Sequence, residues 1–416
     1  MSGARFKRAV AAAAFLLVLA PLSLAGPVTK EVKDKVVSKI TNIITTYAYV
    51  PGVDFSKWTD VLAASKADLD KAQTEDEFQD VINKALSTFK ITHLSMQTPE
   101  ESEQRMEGQT VGIGVSILIQ DEGILIVRVI PGSAAEEAKL QPGDLIIEAD
   151  GKPVHNPAQM AGKAGDPVEL TIKGQDGKIR KVKVIRRKFS TVRPETLNWI
   201  DKDTAIMNIY TYDLSYDSVR VENLFAKASK AKNLIIDLRG NGGGVVTNVQ
   251  HFLGLLLPKD TPIGTFINKS LVQKYVDEQH GNPDDLKGMA AWSERKIRAS
   301  DDDMAPYKGN VVVLVDGGTG SGAEIAAAAL RENLGAQVVG TKSAGAVLVA
   351  LMGSLPEGYT LLYPITDYVT SKGLRLEGNG VTPDIVALDP KIPLPGTPDD
   401  VVDKAVALLK APASKN

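Results

Sequence analysis

The 416-residue chain has no cysteine. This excludes disulfides, thiol nucleophiles and cysteine-ligated zinc. Histidine is scarce: His93, His155, His251 and His280 are the only imidazoles. Aromatic residues make up 5% of the chain, and the formal charge is only −3, with no block of lysine and arginine. That balance excludes the basic footprint of a nucleic-acid binder. Long hydrophobic runs are nearly missing too. The one run of note, Ala9 to Ala25, is interrupted by Pro21 and falls short of the roughly 20 residues that cross a bilayer. Arg5, Lys7 and Arg8 precede it, and Ser23-Leu-Ala25 ends it with small residues before Gly26. Residues 1–25 therefore read as a secretory signal peptide. Its removal takes the formal charge from −3 to −6. An exported chain without disulfides points to the bacterial periplasm, or to the cell envelope or extracellular space. Membrane association follows only if the segment stays uncleaved.

Glycine, by contrast, is abundant, with 36 residues. The stretch Val311 to Glu332 organises the rest. Val311-Val-Val-Leu-Val315 is the pattern of a strand buried on both faces. Asp316 to Gly322 then sets four glycines around Ser321, and Ala323 to Asn333 is rich in helix formers. Ser321 thus falls on a strand-to-helix turn at the positive end of a helix, a place that suits a nucleophile whose oxyanion meets backbone N–H groups. Two plainer readings compete: Ser321 as a helix N-cap, or a phosphate cradle. Gly318-Thr-Gly-Ser-Gly-Ala323 matches the loose GxGxxA dinucleotide pattern. That fold wants an acid after the next strand, and Ala336–Gly340 leads instead into Thr341-Lys342. No glycine is followed by Lys-Ser/Thr, so a P-loop is excluded.

Along the chain, Val28–Tyr49, Phe55–Leu69 and Glu75–Phe89 have helical spacing, the third opened by a Thr74-Glu-Asp-Glu77 capping box. They form an N-terminal helical cap over 26–102, which leaves the helix at Lys90–Pro99 for a short extended piece. Residues 103–189 read as a small β-rich domain. In it Ser133 caps a short helix, Asp150-Gly151 makes a tight hairpin, and Val168–Lys173 pairs with Lys181–Arg186. Residues 190–416 read as an α/β domain, with strands at Ala205–Tyr210 and Asn233–Leu238 and helices at Ser218–Ala231, Val245–Leu257 and Asp400–Leu409. Alternating strand and helix predicts a mostly parallel sheet. Lys259–Lys308 is polar and irregular in pattern, and 260–308 is expected to be a lid or insertion on the catalytic face.

Four motifs now stand in order. They are Pro131–Asp144, which resembles the PDZ pattern except for Lys139 in a usual glycine place; Asp237-Leu-Arg-Gly-Asn-Gly-Gly-Gly244; Gly320-Ser-Gly-Ala-Glu-Ile325; and Glu377-Gly-Asn-Gly-Val-Thr-Pro-Asp384. Together they resemble the carboxyl-terminal processing peptidases, the tail-specific serine proteases of family S41. The resemblance implies an α/β, multi-domain protein: a helical cap, a PDZ domain and a ClpP/crotonase-like catalytic core. It implies Ser321 as nucleophile, and Gly242, Gly243 and Gly322 as oxyanion-hole donors. It also implies Gly112, Ile113, Gly114 and Val115 as the loop that receives a peptide carboxylate while the peptide adds as a strand. No metal or cofactor is implied.

The departure lies in the base. Most members carry a lysine in a line like Gly-Glu-Pro-Thr-Phe-Gly-Lys-Gly. Here the line is Gly340-Thr-Lys-Ser-Ala-Gly-Ala346-Val, so Ala346 holds the lysine position. Two branches of the family use Ser, His and Glu instead. His93, in Thr92-His-Leu-Ser95, resembles their Asp-x-His-Ser/Thr stretch, and Glu377 falls near their glutamate spacing. The resemblance thus implies His93 as base and Glu377 as its orienting acid, against the plainer readings of a packed histidine and a solvated loop acid. Lys342 is a reserve base.

The sequence therefore points to an exported serine endopeptidase acting on protein or peptide chains with free C-termini. Two alternatives share its motifs: a catalytically inert S41-fold binding protein, and an adaptor that presents peptides through the PDZ domain.

Overall fold

The structure is a computed structural model. It describes residues 28–300, 304–387 and 398–411. The signal segment expected at 1–25 lies outside them.

The three cap helices form at Lys30–Thr46, Trp58–Lys71 and Glu75–Leu86. Thr29 caps the first, and the predicted Thr74/Glu77 capping box closes on the third. Val36, Ile40, Ile43 and Ile44 recur at three- and four-residue spacing and are buried, as one apolar helix face requires. They pack with Trp58, Phe78 and Ile82, but also with Leu348, Leu361 and Tyr363 of the C-terminal half. The cap therefore shares its core with the α/β part of the molecule.

Beyond the cap, Lys90 and His93 adopt positive φ, 54° and 57°. The extended piece expected at Lys90–Pro99 becomes the strand Ser95–Gln97, antiparallel to Thr360–Leu362. An unforeseen helix, Pro99–Glu107, follows, with Pro99 in its first turn and a Thr98/Glu101 capping box.

Six strands make the small β-rich sheet: five in the order Val115–Gln120, Gly123–Val129, Leu145–Ala149, Pro167–Lys173, Ile179–Ile185, and Lys152–Pro153 paired with Leu145–Ala149 off that path. The hairpin at Asp150-Gly151 and the pairing of Val168 with Val184 follow the sequence expectation. Among the described residues, Val115–Gln120 pairs with Gly123–Val129 alone, so its outer side is an open edge. Gln109–Gly112 and Arg187–Ser190 form a separate ribbon at the domain's root.

The sheet of the α/β part runs Thr196–Trp199, Thr204–Asn208, Asn233–Asp237, Asn310–Val315, Gln337–Gly340, Ile385–Val386. All pairs after the first are parallel. Alternate residues serve opposite faces. Leu234, Ile236, Val313 and Val315 pack against helices Ser218–Ala228, Val246–Gly254 and Gly322–Leu334. Ile235, Val312 and Leu314 pack against the C-terminal helix Asp400–Lys410. Two covered faces explain the unbroken apolar runs.

The stretch 260–308, polar and irregular in sequence pattern, is nevertheless ordered in part. It contains the strand Pro262–Ile267 and the helices Lys269–Gln279 and Leu286–Trp292. The strand pairs antiparallel with Thr360–Thr370, which also pairs with Ser95–Gln97 and Val349–Ser354. Its short, glycine-interrupted run hides the pattern; the long partner strand supplies the order.

Candidate active site

Ser321 stands between Asn310–Val315 and the helix Gly322–Leu334, where the sequence put it, with φ 50° and ψ −119°. Such backbone costs a non-glycine residue on the order of 1–3 kcal/mol and persists only when its surroundings enforce it. The enforcement is visible. Ser321 N–H donates to Glu324 Oε2 (3.0 Å), and the Ser321 carbonyl accepts from Glu324 and Ile325 N–H (3.0 and 3.1 Å). The helix end is thus tied to Ser321 through its carbonyl and through the Glu324 carboxylate on its N–H. Asp316 Oδ1 accepts from both Gly240 and Gly318 N–H, each at 2.9 Å, tying the two glycine loops together.

The second loop leaves no room for a side chain. A Cβ on Gly243 would lie 2.6 Å from Ser321 Cβ and 2.6 Å from Gly322 N. Fully buried Asn241 braces this loop: Nδ2 donates to Ile209 O (2.8 Å), and Oδ1 accepts Gly243 N–H (2.9 Å). Of the three expected oxyanion donors, Gly243 is therefore already engaged. Its role here is closeness. Among the described residues, Gly242 and Gly322 N–H have no hydrogen-bond partner, which leaves them as the free donors an oxyanion would need.

Glu324 is a site residue that the sequence reading passed over. It is fully buried, and its carboxylate accepts from Ser321, Gly345 (2.8 Å) and Ala346 (2.9 Å) N–H and from the Ser343 hydroxyl. Burial pushes its pKa up, and these donors pull it back. With both oxygens occupied it is a brace, holding the nucleophile turn against 343–346. The signal was the Ser-x-x-Glu spacing of a capping box.

His93 and Glu377 are brought together through a third residue. Thr92 Oγ1 lies 3.0 Å from Glu377 Oε2 and 2.8 Å from His93 Nδ1, and Thr92 N–H reaches Glu377 Oε1 at 3.3 Å. A hydroxyl has one proton. Given to the carboxylate, it leaves Thr92 as acceptor toward the ring, so Nδ1 carries the imidazole proton and Nε2 the lone pair. That is the tautomer a base requires. Glu377 is buried, with Val347 N–H also on Oε2 (2.8 Å). Burial lowers the His93 pKa, favouring neutral imidazole.

His93 makes no hydrogen bond to Ser321 in this structure. The two are linked at one remove: Glu324 holds Ser321 and Ala346, and the next residue, Val347, is held by Glu377. The other imidazoles lie elsewhere. His251 bonds to Tyr216 and Glu222 (2.8 and 3.2 Å), and His155 and His280 are exposed. Lys342 is exposed as well, and no metal-binding cluster occurs among the described residues.

At the other end, Gly112–Val115 are all buried. Gly114 has φ 85°, and a Cβ there would lie 2.1 Å from Ser133 Cβ. Its carbonyl accepts from Ile130 N–H and the Ser133 hydroxyl (3.0 and 3.1 Å). The Ile113 and Gly114 N–H groups have no partner among the described residues. They stand at the start of the open-edged strand.

With this geometry in hand, likeness to other proteins is informative. The model for peptidase family S41 matches residues 203–387, and a PDZ-domain model matches 125–174. The carboxy-terminal processing protease CtpA of Bacillus subtilis (strain 168) is 28% identical over 308 residues, 71% of this chain and 60% of that one. A probable CtpA-like serine protease of Staphylococcus haemolyticus is 25% identical over 323 residues, 74% of this chain and 60% of that one. The chain spans about three fifths of the length of these relatives. Among solved structures, the photosystem II D1 C-terminal processing protease aligns over 87% of this chain and 94% of its own, with TM-score 0.51 and 19% identity. Mature CPAF complexed with lactacystin aligns over 86% and 94%, with TM-score 0.54 and 14% identity. At these identities the structures share the fold. The chain thus carries a peptidase family S41 domain over residues 203–387, with a PDZ domain set ahead of it.

Proposed function

We propose that the chain is an exported serine endopeptidase that acts on polypeptides with free or unstructured C-terminal ends. The observation that carries this reading is the enforced positive-φ turn at Ser321, beside two unpartnered N–H groups and linked at one remove, through Glu324 and Glu377, to an imidazole whose tautomer is set by Thr92. Ser321 Oγ attacks the scissile carbonyl and passes its proton to His93 Nε2. Gly242 and Gly322 N–H take the oxyanion. His93 then protonates the leaving amine, and water releases the acyl group by the reverse sequence. Attack requires His93 to close on Ser321, a gating step common to enzymes whose site assembles around substrate.

Substrate capture is assigned to the open edge of Val115–Gln120, with the chain terminus on the Ile113 and Gly114 N–H groups. Export rests on the 1–25 segment and is tested by the N-terminal sequence of the mature protein. Labelling with a fluorophosphonate tests the enzyme. Modification of Ser321 in the wild type, absent in Ser321→Ala, is expected. An unreactive Ser321 would favour the inert binding protein, a reading supported by Ala346 and by the missing His93–Ser321 bond. Amidating the C-terminus of a peptide should weaken its capture, as Gly114→Pro should.

A further inference from the structure

A cleft of about 430 Å³ lies where the PDZ sheet, the linker after it and the peptidase core meet. Its charge is unevenly partnered. Among its lining residues, Asp213 pairs with Arg105 (3.2 Å) and Glu107 pairs with Lys188 (3.4 Å). Arg128 and Arg193 also line it, and neither forms an ion pair among the described residues. Arg193 is stacked on the Tyr210 ring, its guanidinium carbon 3.5 Å from the ring centre, which fixes its plane. Burial lowers the Arg193 pKa; Tyr210 opposes that shift, and the charge of Arg128 adds to it. Two guanidinium groups thus line one cleft whose lining acids, Asp213 and Glu107, are already paired. The rim is apolar and open: Met106, Leu214 and Val192 are 75%, 63% and 44% exposed. Gly240, at the root of the Asn241–Gly244 loop, closes the far side.

We infer that this cleft is a substrate subsite for a carboxylate-bearing polypeptide segment, its carboxylate between Arg128 and Arg193 and its apolar neighbours on Met106, Val192 and Leu214. Charge complementarity identifies the occupant. Guanidinium groups bind carboxylates through paired N–H donors, and the apolar rim asks for side chains that a free small anion lacks. The carboxylate comes from an Asp or Glu side chain or from a chain terminus. The inference rests on the peptidase reading for what happens next: a chain held here reaches past Gly240 toward Ser321. Its recognition step does not need cleavage.

The test uses the full chain carrying Ser321→Ala and three fluorescein-labelled peptides of one apolar sequence. One is neutral with an amide end, one has a single Glu and an amide end, and one is neutral in sequence with a free C-terminal carboxylate. By fluorescence anisotropy, at least one acidic peptide should bind about tenfold tighter than the neutral one. Whichever does so names the source. Arg128→Gln should erase the preference, and Arg128→Glu should turn it against the acidic peptide. Arg128 makes no side-chain hydrogen bond among the described residues, so these variants spare the fold where Arg193→Gln would lose a stacked group. Equal binding of all three peptides overturns the inference. So does a preference that survives Arg128→Gln, which would belong to the Gly112–Val115 loop. Fluorophosphonate labelling of the Ser321-containing chain reports on the peptidase reading separately. An unlabelled serine with an intact carboxylate preference would sink the enzyme and leave the subsite standing.

Discussion

Ser321 and His93 both sit on positive-φ backbone, at 50° and 57°, yet the segments holding them are built in different ways. Ser321 is fixed inside one folded unit. Its strand lies in the middle of the parallel sheet, its N–H is held by a buried carboxylate, and the facing glycine loop is tied to the same turn by Asp316 and Asn241. His93 is fixed across units. It follows the cap helices, and Thr92 joins it to Glu377 from 285 residues away. The proposed nucleophile is therefore assembled by the core alone, whereas the proposed base depends on how the cap docks. A site made this way can hold its nucleophile ready and still withhold the proton acceptor, which agrees with the absent His93–Ser321 bond.

The largest effect should come from the assembled side. Ser321→Ala is expected to abolish cleavage of casein outright while the circular dichroism spectrum stays that of the wild type. Cleavage at the wild-type rate would remove Ser321 from the mechanism. Gly243→Ala should come next. Its Cβ would drive into Ser321 Cβ and Gly322 N, moving an oxyanion donor whose loss is worth roughly 10²–10³-fold in kcat. The positive φ of 95° adds strain, so the melting temperature should fall as well. Unchanged kcat in a folded Gly243→Ala protein would mean that this loop does not face the reacting carbonyl.

The docked side should yield smaller and more graded losses. Thr92→Val removes the hydroxyl between His93 and Glu377 but keeps the shape. General-base contributions run to about 10²–10⁴-fold, and losing the fixed tautomer should forfeit part of that, with His93→Ala as the floor. Thr92→Ser should recover most of the rate, a rescue that a packing role for the threonine methyl would not predict. The pH profile adds a sign. Burial depresses the His93 pKa, so kcat/KM should rise with pH along a limb centred below the ordinary value of about 6.5. By the same linkage, the stability contributed by neutral His93 is present above its ordinary pKa and lost as pH falls through the depressed one. An acid limb above pH 7 would point away from this imidazole.

The same contrast decides what was legible in the sequence. Local signals were readable wherever one segment fixes its own shape. The strand at Val311–Val315, the glycine turn before Ser321, the Thr74/Glu77 capping box and the Asp150-Gly151 hairpin all follow from residues within a few positions of each other. The Thr98-Pro-Glu-Glu101 cap carried an equally local signal that the reading at Lys90–Pro99 missed. What stayed hidden required distant partners. Pro262–Ile267 becomes ordered by pairing with Thr360–Thr370, about a hundred residues later. Thr92 gains a role only because Glu377 arrives beside it, and Gly243 loses its free N–H only because the Asn241 side chain turns back on it. Glu324 lies between these cases: its cap spacing was visible, but its bonds to Gly345 and Ala346 were not.

The smallest expected effect separates an alternative base from the docked histidine. Lys342 is the lysine nearest in sequence to the family's usual position, which Ala346 fills here. A lysine acts as a base when its surroundings strip water from the ammonium group. Lys342 is exposed, and its side chain has no partner among the described residues. The backbone around it is held by other means: Ser343 and Gly345 bond to Glu324, and Ala344 N–H bonds to Thr319 O (2.9 Å). Lys342→Ala should therefore change kcat/KM by less than about twofold, as surface substitutions away from special features generally do in stability terms, and it should leave the acid limb where it was. A loss matching that of His93→Ala would move the proton acceptor to Lys342. It would mean that substrate binding closes the cap over an exposed ammonium group rather than bringing an imidazole to the serine.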